Sequence, residues 1–315
     1  MSSPGSLSPE RAAALVEAIG VNRTVNYVAL ISVTIIFFDY LHTFPREVNL
    51  MWKSKLTITK SLYFVLRYYI MVHSLLWVTY HADHTLTGPR CNFPFSRNSA
   101  SSQVVLVLCE AISYVRVYAF SGRNRKVLAF LVVHFIAVNA VSFYYIARLV
   151  TSVSFLSLPA GWGLGCFPAK ADGFALTMVG VTLIVSYTSA SIAMVVIGIR
   201  RHSSLSGKNK LIRVLYQDGI SYFFCLSALS VANISVFHLA PENGVQLIVV
   251  QPQVHFSALI ATRMLLHLRE WSAKQQIVIA SEPGGSIEYP VDLGSPKFSS
   301  RDSYAMSERA YPANE

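Results

Sequence analysis

Charged side chains are scarce in this 315-residue chain: Asp, Glu, Lys and Arg make up 13% of it, against 53% for hydrophobic residues. That is about half the charged share of an ordinary soluble protein, too little to cover a water-facing surface. Cysteine is sparse too, with four residues in all. The first residues, Met1 to Pro9, lack a basic stretch and a short apolar core ahead of a cleavage site, so no cleavable signal peptide is expected. No Gly-x-Ser-x-Gly elbow, phosphate loop or His-Glu-x-x-His pair occurs, and an enzyme is not expected. Histidines His73, His134, His238 and His255 are scattered, and only His81 and His84, beside Asp83, approach ligand spacing. Loop polarity explains that cluster, so neither metal nor cofactor is expected.

What the chain has in abundance is long apolar runs. Seven segments reach the roughly 20 residues that span about 30 Å of hydrocarbon: Val25 to Phe44, Ile58 to Thr79, Gln103 to Phe120, Val127 to Ala147, Phe174 to Ile199, Leu215 to Leu239 and Leu247 to Leu268. The expected fold is all-α, an integral membrane bundle of seven transmembrane helices with the lipid bilayer as its partner. Residues 1–24 form a short N-terminal segment, 25–270 the bundle and 271–315 a tail. Within the first segment, Ser8-Pro9-Glu10 through Ile19 predicts a short helix with Gly20 as its stop. Arg269 to Lys274 suits either an interfacial helix or an extension of the last span. From about Ser281 the composition of Ser, Pro, Gly and acids predicts disorder.

The formal charge of +10 does not point to nucleic acid, because the basic residues collect in alternate loops, as membrane topology requires. Loops one, three and five carry Arg46, Lys53, Lys55, Arg123, Arg125, Lys126, Arg200, Arg201, Lys208, Lys210 and Arg213. Loops two and four carry only Arg90, Arg97, Arg148 and Lys170. Eleven against four puts the odd loops inside, the N-terminus outside and the tail in the cytosol. A plasma membrane location is expected, with other endomembranes as the alternative.

On this topology Cys91 and Cys166 lie in outer loops on the oxidising side. They either form a bridge that fixes a lid over an outer cavity or remain two free thiols. Trp162 suits the headgroup level. Asn22-Arg23-Thr24 is a glycosylation sequon on the same side, close to the first span.

Ionisable residues inside a bilayer need partners or water. Arg67 and Glu110 lie at similar depth, about 15 Å from the cytosolic end, and are expected to pair, as a switch or as a static bridge. Asp39, Arg116, Asp218 and Arg263 fall about one turn above the cytosolic surface. They either latch the helix ends together or snorkel to the headgroups.

Several polar stretches are similar to a known pattern: Val28-Ala29 through Phe38-Asp39-Tyr40-Leu41, Pro45-Arg46-Glu47-Val48, Met51-Trp52-Lys53 and Lys60 to Arg67-Tyr68. Further on stand Arg116-Val117-Tyr118-Ala119, Gly122-Arg123-Asn124-Arg125, Gly165-Cys166, Gln217-Asp218-Gly219 and Arg263 to Glu270. Together these resemble the fungal family called domain of unknown function 6533, from about Val25 to Glu270. The resemblance implies a multi-pass membrane protein and supplies no activity. The seven-helix topology, the outer cysteine pair and Arg116 also resemble a G-protein-coupled receptor. The chain departs from that class in lacking Asn-Pro-x-x-Tyr in span seven and an acid before Arg116, and Cys91 stands well before span three.

The expected function is a receptor-like sensor whose basic loops meet a cytosolic signalling partner, its small-molecule ligand unknown. The alternatives are a small-solute transporter or channel, with Gln251-Pro252-Gln253 lining a pathway, and a non-catalytic membrane scaffold.

Overall fold

In a computed structural model the described residues are 9–52, 56–83, 85–157, 165–170, 172–204, 210–239 and 245–281. They form seven long helices: α1 Pro9–Glu47, α2 Ile58–Ala82, α3 Asn92–Phe120, α4 Arg125–Ser152, α5 Gly173–Ser204, α6 Lys210–Leu239 and α7 Val250–Ser281. The fold is all-α, and the two short strands, β1 Ser154–Phe155 and β2 Pro168–Lys170, only decorate one end. All seven expected spans fall on these helices. Six of the seven are long and apolar enough to cross a membrane.

The exception is α7, for a physical reason. Gln253, Val254, His255, Ser257, Ala258, Ala261, Thr262, Met264, Leu265 and Leu266 of α7 are all buried, and the helix packs against α1, α2, α3 and α6. A helix walled by other helices needs less apolar surface, because its polar side chains find partners in the protein instead of facing lipid. By contrast α4 presents Phe130, Val133, Ile136 and Tyr144 outward, as a lipid-facing helix must. Helix α3 is central, touching α2, α4, α5 and α7.

Several boundaries differ from the sequence reading. Helix α1 does not stop at Gly20 but runs unbroken from Pro9 for 39 residues, about 58 Å at 1.5 Å per residue. Glycine lowers helix stability by about 1 kcal/mol without preventing it. The sequon residue Asn22 therefore sits on a helix and not in a loop, with the Thr24 hydroxyl donating to Gly20 O at 3.1 Å. Pro45 does not end α1 either, and a π-helical turn, Val48–Trp52, follows Glu47. Helix α3 starts eleven residues before Gln103, so Cys91 immediately precedes it. The last span extends as one helix through Lys274 to Ser281. Lys53, Lys55, His84, Trp162, Lys208 and the tail beyond Ser281 lie outside the described residues.

One end of the bundle is closed by a cap. Cys91 is bonded to Cys166, joining the start of α3 to the segment before β2. Strands β1 and β2 pair antiparallel, Ser154 opposite Lys170, and Leu156 N donates to Phe167 O at 2.9 Å. Asp172 holds the cap to the helices. Its backbone N–H donates to Ser152 Oγ, its carboxylate accepts from Ala175 N at 3.1 Å as the N-cap of α5, and Arg148 Nε reaches it at 3.0 Å.

Candidate functional site

The buried stripe of α1 recurs at helical spacing, Ala29, Ser32, Val33, Ile36, Asp39, Thr43 and Glu47, so its three polar members near the far end share one face. Opposite stands Arg67 of α2, 4% exposed, two turns after Lys60 and one after Tyr63 on the inner face of that helix. Its guanidinium is fully engaged. Nη1 donates to Asp39 Oδ2 at 3.0 Å, Nε to Glu47 Oε2 at 3.1 Å, and Nη2 to Tyr40 O at 3.2 Å and to the Thr43 hydroxyl. The Tyr40 ring lies beneath it, 5.1 Å from centroid to Cζ.

Both carboxylates are shared. Asp39 Oδ1 accepts from Arg263 Nε of α7 at 2.5 Å. Glu47, fully buried, accepts from Trp52 Nε1 at 3.2 Å and Tyr68 OH at 2.9 Å on one oxygen, and from Tyr63 OH at 3.4 Å and Arg67 on the other. Arg67, Asp39 and Glu47 are buried and bonded on nearly all their polar atoms, the condition under which a buried ionic cluster holds together, while Arg263, about half exposed, adds a second cation from its edge. The network ties α1, the π-turn, α2 and α7. A cavity of about 10 Å³ lies against it, lined by Ile36, Asp39, Arg67, Ile70, Ala258 and Thr262. That is room for about one water.

The expected Arg67–Glu110 pair does not form. Arg67 is taken up by α1, whereas Glu110 of α3 faces α4, where its Oε2 accepts from Asn139 Nδ2 at 2.8 Å. Equal depth did not decide the pairing because the two side chains point to different neighbours. Of the expected layer of Asp39, Arg116, Asp218 and Arg263, the described residues show one pairing, Asp39 with Arg263. The Arg116 guanidinium lies 5.9 Å from the ring centroids of Phe120 of α3 and Tyr222 of α6. The side chain of Asp218 lies outside the described residues. Glu47, read only as part of a loop motif, was missed as a buried anchor. Its spacing of four and eight residues from Thr43 and Asp39 carried the signal.

A second polar group lies toward the capped end. His73 of α2 and His255 of α7, both fully buried, have ring centroids 5.7 Å apart and meet at the Gln251 amide. Gln253, one residue beyond Pro252, turns the other way, its Nε2 donating to Ser230 Oγ of α6 at 3.0 Å and its Oε1 accepting from Asn233. The Gln-Pro-Gln element therefore binds neighbouring helices on both sides. His134 hydrogen bonds with Tyr114 OH at 2.7 Å, His81 stacks on Trp77, and His238 lies against Phe237. Among the described residues no three potential metal ligands come together.

Residues Asp39, Tyr40, Thr43, Glu47, Trp52, Tyr63, Arg67 and Tyr68 fall in one continuous stretch of sequence. Residues 27–72 match a family of unknown function, DUF6533. The DUF6533 segment is thus α1 from Tyr27, the π-turn and the first half of α2, and it contains every member of the charge network except Arg263. The similar stretches from Arg116 onward lie outside the matched residues. No curated protein matches the chain.

Proposed function

We propose that this multi-pass membrane protein is a receptor-like sensor, in which α7 relays a change at the capped face to the opposite face. One observation carries the reading: α7 is the polar, interior helix, hydrogen-bonded to α1 and α2 at two levels, through His255 and Gln251 near the cap and through Arg263 at Asp39. An element held by directional bonds at two levels has discrete positions, which is what a two-state relay needs. The cap faces outside, since a disulfide belongs on the oxidising side and basic residues gather at the other end. There Arg123 in the turn after α3 and Arg125 and Lys126 at the start of α4 are exposed, and Arg46 is exposed beside Glu270. These suit an acidic cytosolic partner.

The test is a double-mutant cycle on full-length protein in liposomes. Asp39→Asn and Arg263→Gln are each expected to raise hydrogen exchange at the inner ends of α1 and α7. The double variant should be perturbed by clearly less than the sum. Additive effects would remove the latch, and ligand-dependent flux in a solute panel would replace the sensor reading with transport.

A further inference from the structure

The polar group toward the cap is not consumed by the charge network. The Nε2 atoms of His73 and His255 converge on a single group, the Gln251 amide nitrogen, at 2.8 and 3.3 Å. On their far sides, His73 Nδ1 hydrogen bonds with Ser101 Oγ at 3.1 Å and His255 Nδ1 with Ser32 Oγ at 2.7 Å. The Ser32 hydroxyl already donates to Ala29 O at 2.6 Å, so it accepts from His255 Nδ1–H. Each Nε2 is then an acceptor, served by one of the two Gln251 amide hydrogens. The pattern is complete with one proton on each ring.

It is also complete in a second way. Ser74 Oγ stands 3.3 Å from His255 Nε2 as an alternative donor. Gln251 is half-buried in the first turn of α7, so a released amide N–H₂ can meet water. We propose that His73, Gln251 and His255 form a proton-binding site with two hydrogen-bonded states. A hydronium ion gives its proton to the lone pair of His73 Nε2 and leaves as water. The Gln251 amide turns over and its Oε1 accepts from the new N–H. The Ser74 hydroxyl takes over the donation to His255. One N–H bond forms, one O–H bond breaks, and the product is a single imidazolium at His73.

A proton on this site has no counter-ion beside it among the described residues, so its charge is felt at a distance. Facing the pair are Ser32 from α1, Tyr69 and Ser74 from α2 and Ser101 from α3, with Asp39, Arg67, Glu110 and Arg263 as the charged groups further along α1, α2, α3 and α7. Among the described residues no carboxylate ion-pairs with either ring. Arg67 stands six residues before His73 on α2 and Arg263 eight after His255 on α7, axial rises of about 9 and 12 Å toward the same end of the bundle. A positive charge at His73 repels both and loosens their hold on Asp39. That consequence rests on the sensor reading, with the proton as stimulus; the binding site itself does not.

The experiment is a pH titration of full-length protein in lipid nanodiscs with ¹⁵N-labelled histidine rings, signals assigned through His73→Asn and His255→Asn. The His73 Nε2 signal is expected to change to the protonated form on acidification while His255 keeps one proton. Gln251→Glu, whose carboxylate accepts but cannot donate, should bind the proton about tenfold more tightly. Ser74→Ala, which removes the donor that His255 Nε2 relies on once the Gln251 amide has turned, should bind it several-fold more weakly and keeps the test alive if Gln251→Glu does not fold. The site is overturned if His73 stays unprotonated throughout the pH range in which helicity persists, if His255 titrates instead, or if both variants leave the titration in place. A proton site without pH-dependent Asp39–Arg263 coupling would overturn its link to sensing alone.

Discussion

At the scale of single residues the interior is governed by Arg67 and the fully buried Glu47. Replacing Arg67 with Met leaves Asp39 with Arg263 alone and Glu47 without a cation. A loss of about 3–5 kcal/mol is expected from the uncompensated buried charge, measured by denaturant titration in bicelles. Adding Asp39→Asn and Glu47→Gln to the same protein should recover a large part of that loss, since the orphaned charge is the main cost. The sequence made Arg67, Asp39 and Arg263 visible as intramembrane charges, and the Asp39–Arg263 contact joins two residues grouped by depth. It could not choose between Glu110 and Glu47 for Arg67, because depth fixes height along a helix and leaves its rotation open. Glu47 was hidden further by Pro45, which reads as a helix end although α1 runs through it.

At the scale of elements, close approach sets the helix spacing. A Cβ placed on Gly180 of α5 would stand 2.8 Å from Ile234 Cγ1 of α6. Gly180→Ala is therefore expected to destabilise by about 1–3 kcal/mol, because Cγ1 of a β-branched side chain has little freedom to move. Ile234→Ala in the same protein should relieve the clash, so the double variant melts above the value expected from the two single changes. Gly88 offers no such escape. Its φ of +55° and the Ser157 hydroxyl packed where a Cβ would stand mean that Gly88→Ala strains both backbone and contact, and Ser157→Ala should not rescue its melting temperature. Spans one to six were legible because lipid demands apolar runs. Helix ends were less so, since α1 and α3 continue past the hydrocarbon where composition no longer constrains them.

At the scale of the whole molecule the cap is a tether across 75 residues of sequence. A random chain would gain about 4.5 kcal/mol from closing such a loop, and a denatured state that keeps its helices gains less. Reduction, or the pair Cys91→Ser with Cys166→Ser, is expected to lower the melting temperature and to raise exchange in β1 and β2 before the helices. Orientation has its own check: an N-terminal tag should bind antibody on intact cells, and a C-terminal tag only after permeabilisation.

The polarity of α7 reaches back to how the protein is made. With Gln251, Gln253, His255 and Arg263 along its length, it gains little from lipid alone, where intramembrane polar side chains need partners. Its insertion is then expected to depend on docking against α1, α2, α3 and α6, the helices it packs on. Biogenesis on this expectation is templated, with α7 entering the membrane as a ligand of the four helices it packs on. A chain lacking α1 should leave α7 unintegrated at the translocon, and supplying α1–α2 in trans should bring it home.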